Sequence, residues 1–284
     1  MDYWIWFSTI KGLGPVQKKI LLDKIGEPSK IYHTDINRIK ELEGIRQDAA
    51  QNIENSRDEK LMKKYEEYIY NHNIKVINIM DSLYPQALKE IYDPPITLYA
   101  KGNLSILGEK SIAIVGCRDA TRYGLNMAQK LSYDLAKNNI VIVSGLARGI
   151  DNMAHYGALK ADGKTIAVLG CGVDICYPRE NVETYKQILE KGLVLSEYIV
   201  GTPPEAGNFP ARNRIVSGLS NGVLIVEAKE KSGSLITGDF ALEQGRELYV
   251  VPGNINSSQS GGTNSLIKQG AKVVTKAEDV LEDM

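Results

Sequence analysis

From Ser111 onward, short continuous apolar runs alternate with longer amphipathic stretches. The runs are Ile112–Val115, Ile140–Val143, Thr165–Leu169, Leu193–Ser196, Val223–Val226 and Leu248–Val251. Most are apolar at consecutive positions, as strands covered on both faces are. Between the first two, Leu125, Ala128, Leu131 and Leu135 recur at helical spacing. Asp151 and Asn181 stand where helices would begin and read as N-caps. The alternation predicts an α/β fold: an extended, Rossmann-like, doubly wound and mostly parallel sheet with right-handed crossovers.

The first 57 or so residues are patterned differently. Gly12-Leu13-Gly14-Pro15 separates Trp4–Ile10 from Val16, Ile20, Leu21 and Leu22, and Leu42–Arg46 precedes Ala49, Ala50 and Ile53. Two such helix–Gly-turn–helix units predict a small all-α domain of helix-hairpin-helix or SAM-like type. The expected division is 1–62 for this domain and 63–284 for the Rossmann-like one, with no C-terminal winged helix. Asn55–Tyr70 reads as a charged connecting helix with Tyr65 and Tyr68 on one face, and Lys75–Ile79 as a strand. Tyr84-Pro85 through Asp93-Pro94-Pro95 is expected to be extended or turning, because each proline fixes φ and restricts its predecessor.

Composition narrows the chemistry. The 284 residues are 43% hydrophobic and 24% charged, ordinary for a globular protein able to bury a full core. Net charge is -1, so any anion site must come from local placement of Lys and Arg. Cys117, Cys171 and Cys176 form no CxxC pair, and with three histidines they argue against a disulfide framework or a zinc site. Apolar runs of four to six residues are too short to span a membrane, and no signal peptide is visible, so a cytoplasmic protein is expected.

Nearly every strand end carries a Gly-rich or polar loop. They are Gly116-Cys117-Arg118, Ser144-Gly145 through Arg148-Gly149, Gly170-Cys171-Gly172 with Tyr177-Pro178-Arg179, Phe209 through Arg212-Asn213-Arg214, Lys229 through Ser232-Gly233-Ser234 and Thr237, and Pro252-Gly253-Asn254. Glycine lets backbone amides approach an anion, the next helix offers a positive N-terminus, and arginine matches phosphate geometry. In open α/β sheets, ligands bind outside these strand ends. The first loop is not GxGxxG, no acidic ribose clamp closes the next strand, and GxxxxGK[ST] is absent, so neither NAD nor a P-loop nucleotide is expected, and no cofactor. His155 reads as a packed or surface histidine, not as a base. Asp151, Glu197, Glu227, Asp239 and Glu243 lie near the loops, but no nucleophile–base–orienter set is apparent, and Ser217 and Ser220 lack an obvious partner. A binding protein is expected, not an enzyme.

Ala113–Arg118, Ser144–Asp151, Gly170–Asp174 with Tyr177-Pro178, Phe209–Ser220, Ser232–Thr237, Ala241–Arg246 and Val251–Asn254, with Tyr84–Pro95 upstream, together resemble the DprA/Smf family, the DNA-processing proteins of natural transformation. The resemblance implies a homodimer, formed through the Rossmann-like domain, that binds and protects single-stranded DNA and loads RecA onto it. It carries Arg118 onto the arginine of the family's Gly-Ser/Thr-Arg motif, with Cys117 replacing the hydroxyl residue. Arg179 falls where lysine is common, Arg212 and Arg214 match Arg-Asn-Arg, and Phe209 offers a stacking platform. The DNA- or phosphate-binding set is thus Gly116, Cys117, Arg118, Ser144, Gly145, Arg148, Arg179, Phe209, Arg212, Asn213, Arg214, Lys229, Ser232, Gly233, Ser234 and Thr237. A second reading is a nucleoside-monophosphate phosphoribohydrolase similar to the LOG family, with Glu243 as its acid. Its Thr-to-Glu spacing is too long here, and the Pro-Gly-Gly is missing.

Overall fold

The computed structural model describes residues 2–284. Helices α1 (Tyr3–Thr9), α2 (Pro15–Lys24), α3 (Pro28–His33), α4 (Ile36–Lys40), α5 (Gln47–Asn55) and α6 (Glu59–Asn71) come first. The turns before α2 and α5 face each other. Arg46 donates to the Gly12 carbonyl at 3.1 Å and Gln17 to the Gly44 carbonyl at 3.5 Å. Trp6, Phe7, Leu21, Ile31, Ile39 and Ile53 are fully buried between these helices.

The expected connecting helix is interrupted. α5 ends at Asn55, and Asp58 opens α6 by accepting from the Lys60 and Leu61 amides, so the 62/63 boundary falls inside α6. The helical part is fused to the sheet: its core residues and those of the next strands form one buried cluster. Ser8 Oγ and Tyr99 Oη lie 2.6 Å apart, and the buried Lys18 ammonium donates to the Ser8 carbonyl at 2.8 Å.

The remaining elements are β1 (Lys75–Asn78), α7 (Gln86–Lys89), β2 (Thr97–Gly102), β3 (Ser111–Val115), α8 (Arg122–Lys137), β4 (Val141–Ser144), α9 (Ile150–Lys160), β5 (Thr165–Val168), α10 (Val182–Lys191), β6 (Leu193–Ser196), α11 (Asn208–Gly218), β7 (Gly222–Ile225), α12 (Gly233–Glu243), β8 (Glu247–Val250), α13 (Gly261–Lys268), β9 (Lys272–Val273) and α14 (Glu278–Leu281). One sheet runs β1-β2-β6-β5-β4-β3-β7-β8-β9. Strands β3 to β9 are parallel wherever they pair with one another, whereas β2 pairs antiparallel with both β6 and β1.

The apolar runs conceal a two-sided division. Ile112 and Ile114 join Leu131, Leu135 and Ala154 of α8 and α9, while Ala113 and Val115 join Ile215 and Ala241 of α11 and α12. Each strand therefore feeds two cores, which is why no polar position interrupts it. The proline-rich stretch differs in part from the expectation: it holds helix α7, and Thr97–Ala100 beyond it form the buried part of an unanticipated strand, β2. No helix among the described residues is long and apolar enough to cross a membrane.

Candidate nucleic-acid interface

Strands β3 and β7 are neighbours, yet the chain leaves β3 toward β4 and leaves β7 toward β8. The connections diverge and leave a crevice beyond the strand ends, where such sheets place their ligands. A cavity of about 580 Å³ lies there, lined from five loops: Val115–Asp119, Ala147 and Asp151, Tyr177, Pro204 to Asn213, and Lys229 to Thr237.

The loop backbones are tied together. The Cys117 amide donates to the Glu227 carbonyl at 2.8 Å, and the Ile150 amide to the Cys117 carbonyl at 3.3 Å. The buried Glu227 carboxylate accepts from the Thr121 amide and hydroxyl at 2.8 and 2.6 Å, fixing the start of α8. Gly149 sits at φ +73°, and a Cβ there would meet the Cys117 carbonyl oxygen at 2.3 Å, so only glycine fits.

On the rim, the exposed Arg118 guanidinium lies 5.6 Å from the Phe209 ring centroid, within cation–π range. Tyr177 also lies beside Phe209, 5.5 Å centroid to centroid, tilted by 35°. Phe209 and Pro210 occupy the first turn of α11, where proline's missing amide leaves no bond unmade. Opposite, Ser232 caps α12 by accepting from the Ser234 amide, which points that helix's positive end at the cavity beside Lys229.

The floor is polar and buried. Asp151 does not act as the helix cap; Gly149 holds that position. The Asp151 carboxylate instead accepts from the Gly145 and Ala147 amides at 3.1 and 3.4 Å. Burial pushes its pKa up, against the pull of Arg212, the two amides and Arg118. Arg212 is 4% exposed and donates to the Val168 carbonyl. Burial lowers its pKa, and Asp151 opposes that shift through space. Its Nε finds no partner, and its guanidinium passes over Gly145, where a Cβ would stand 2.1 Å from Nη1. Burial also raises the Cys117 thiol pKa, against a hydrogen bond from the Lys229 amide, so Cys117 contributes a neutral group.

Eleven of the sixteen expected residues line the cavity: Gly116, Cys117, Arg118, Phe209, Arg212, Asn213, Lys229, Ser232, Gly233, Ser234 and Thr237. The other five do not. Ser144 is buried and donates to the Ile114 carbonyl at 2.6 Å, and Gly145 lies beneath Arg212. Arg148 is paired with Glu180 at 2.5 Å, and Arg179 is exposed on a neighbouring 3-10 turn. Arg214 must be removed from the anion-binding set. It is 4% exposed, bound through both Nη atoms to Glu197 at 2.7 Å and through Nε to Asp93 at 3.0 Å. Burial opposes its charge, but these carboxylates outweigh it and raise its pKa. Asn181 does head α10, but its side chain donates to the Leu146 and Ala147 carbonyls instead of capping.

The sequence reading missed Tyr177 as a site residue, although its place after β5 beside a proline was a usable signal. It also missed Asp151 as part of the floor. Glu243 lies at the far end of α12 and lines a different cavity of about 280 Å³ with Tyr92, Asp93 and Arg246, so the hydrolase reading loses its acid. Of the two places expected for His155, packed or on the surface, the structure shows the buried one. Thr165 Oγ1 donates to the Ile142 carbonyl and so accepts from His155 Nδ1 at 2.7 Å, leaving Nε2 bare.

The family model of DNA recombination-mediator protein A matches residues 75–284. The chain is 47% identical over 212 residues to DNA processing protein DprA of Bacillus subtilis, covering 74% of this chain and 71% of that protein. It is 48% identical over 206 residues to its counterpart in Streptococcus pneumoniae, covering 72% and 73%. The X-ray structure of that Streptococcus pneumoniae protein superposes with a TM-score of 0.89 at 38% identity, covering 100% of this chain and 98% of that one. A structure describing the single-stranded DNA binding mode of DNA processing protein A from Helicobacter pylori gives 0.67 at 35% identity, covering 74% and 94%. Sequence and fold thus agree with these relatives, and the chain belongs to the DNA recombination-mediator protein A family, the DprA/Smf proteins.

Proposed function

We propose that this protein binds single-stranded DNA across the β3/β7 cleft, shields it, and hands it to RecA. The observation that carries this is the rim. Arg118, Lys229 and the N-terminus of α12 surround the cavity, with Phe209 and Tyr177 side by side among them. Cations and helix amides take phosphates, and exposed rings stack any base for about 1–3 kcal/mol each. Bases in a duplex are already stacked, so this arrangement favours a single strand. The Helicobacter pylori relative's single-stranded DNA binding mode supports the same reading. The RecA hand-over rests on the family's description as a recombination mediator, and a homodimer is part of the proposal.

The protein acts by binding, without catalysis. Among the described residues no histidine lines the cavity, His155 is buried against Thr165, and Glu243 lies elsewhere. A salt-titrated gel shift with oligo-dT and a duplex of equal length tests the proposal. Selective binding of the single strand is expected, its logarithm falling with log salt by roughly 0.7 per phosphate engaged. Equal, weak binding to both would reduce the cleft to a generic anion site. Release of free base from a nucleoside monophosphate would restore the hydrolase reading.

A further inference from the structure

Helices α8 and α9 both leave the cleft and run side by side down one face of the sheet. Thr121, at the start of α8, is fixed by Glu227, and Asp151, in the first turn of α9, lines the cavity floor. The helices pack closely: a Cβ on Gly157 would meet Ser132 Oγ at 1.9 Å. Their outer surface is basic in a chain of net charge -1. Arg122, Lys130, Lys137 and Lys160 are all exposed, and among the described residues none of the four forms an ion pair, as is also true of Lys24, Lys40 and Lys63 in the helical part.

Several acidic groups lie on or beside these helices; on α10, which packs against α9, Glu183 is held by Lys186 at 3.0 Å and Glu190 lies in the last turn. Asp134 lies on α8, and Asp162, just after α9, acts on Lys137 but is held by Lys191 at 2.7 Å. On the other flank, α14 shares the buried cluster of α8. Its Asp279 is turned to Thr275 and Lys276, and Glu282 and Asp283 are turned to Lys272, leaving Glu278. Both helices also repeat one device. Lys137 lies 5.7 Å from the Tyr133 ring centroid and Lys160 5.8 Å from that of Tyr156, each pair one turn apart. A ring beside an ammonium offers a base a stacking face and its phosphate a counter-charge.

We infer that the outer face of α8 and α9 is a second single-stranded DNA track, carrying the strand onward from the cleft. From Arg122 to Lys137 the row extends about 22 Å at 1.5 Å per residue. This rests on the proposed cleft function and adds a distinct site, so chain length separates the two. The probes are oligo-dT of about 6 and about 30 nucleotides: single-strand sites on one compact fold such as an OB fold take roughly 4–16, so the first can fill one site and the second exceeds it. The variant K130E/K137E/K160E is expected to bind the short probe as the wild type does. It should bind the long probe roughly tenfold more weakly, with a salt slope reduced by about 2. K24E/K40E/K63E, carrying the same charge change on exposed lysines of the helical part, should leave both unchanged. Y156A should weaken only the long probe, by about fivefold. Equal losses on both probes, an unchanged long-probe affinity, or the same loss in K24E/K40E/K63E overturns the track. Wild-type protein that binds neither probe overturns the cleft reading with it.

Discussion

Two arginines that look alike in sequence should fail in opposite ways. Arg214→Ala removes the one cation between Glu197, 14% exposed, and Asp93, leaving two partly buried carboxylates uncompensated. Breaking a buried pair from one side typically costs about 3–5 kcal/mol. At about 2–4 °C per kcal/mol for a domain of this size, the melting temperature should drop by roughly 6–20 °C. Below that transition, oligo-dT affinity should stay within about threefold of wild type, because Arg214 does not reach the cavity. Arg118→Ala should do the reverse. The side chain is exposed, so melting should be nearly unchanged. Affinity should fall by about tenfold or more as a phosphate contact and the cation over Phe209 are lost. Scanning calorimetry paired with gel shifts reads both quantities. An Arg214→Ala protein that melts like wild type but has lost DNA would refute the assignment of the two roles.

Gly145→Ala should destabilise by about 1–3 kcal/mol, because its Cβ displaces the Arg212 guanidinium from the Val168 carbonyl; denaturant unfolding reads this, and an unchanged midpoint contradicts the packing. Cys117→Ser restores a hydroxyl donor at the cavity edge and should tighten oligo-dT binding two- to tenfold, about 0.5–1.5 kcal/mol. Stability should also carry a pH signature from His155, whose pKa burial lowers to about 3. The unfolded chain takes up a proton near pH 6.5 that the fold refuses, so this contribution is lost as pH falls from 6.5 toward 3. Between pH 7.5 and 5.5 it amounts to about 1.4 kcal/mol, and His155→Gln should remove that slope; parallel pH dependences in the two proteins would contradict it.

The parallel strands were legible because each feeds two cores and tolerates no polar position, as in Ile112–Val115. Strand β2 was not, since Pro94 and Pro95 marked its approach as irregular and only its antiparallel pairing with β1 and β6 makes it a strand. The two-residue β9 is too short for any pattern. That strand-end loops meet at one sheet edge was legible from the alternation of strands and helices, although Pro252-Gly253-Asn254, after β8, does not line the cavity. Which side chains face the cavity was not: Arg212 and Arg214 lie two positions apart on one helix, about 200° around its axis. One therefore reaches the floor and the other a carboxylate pair on the opposite side. Likewise, Asp151 reads as a cap until the backbone shows that Gly149 occupies that position and the carboxylate turns to the Gly145 loop.

The central claim is that the β3/β7 cleft holds a single strand by its phosphates and bases. A crystal structure of the protein with oligo-dT tests this most directly. The account predicts phosphate oxygens within hydrogen-bond distance of Arg118, Lys229 and the amides at the start of α12, with a base against Phe209 or Tyr177. A strand bound elsewhere, with the cavity empty, would contradict it.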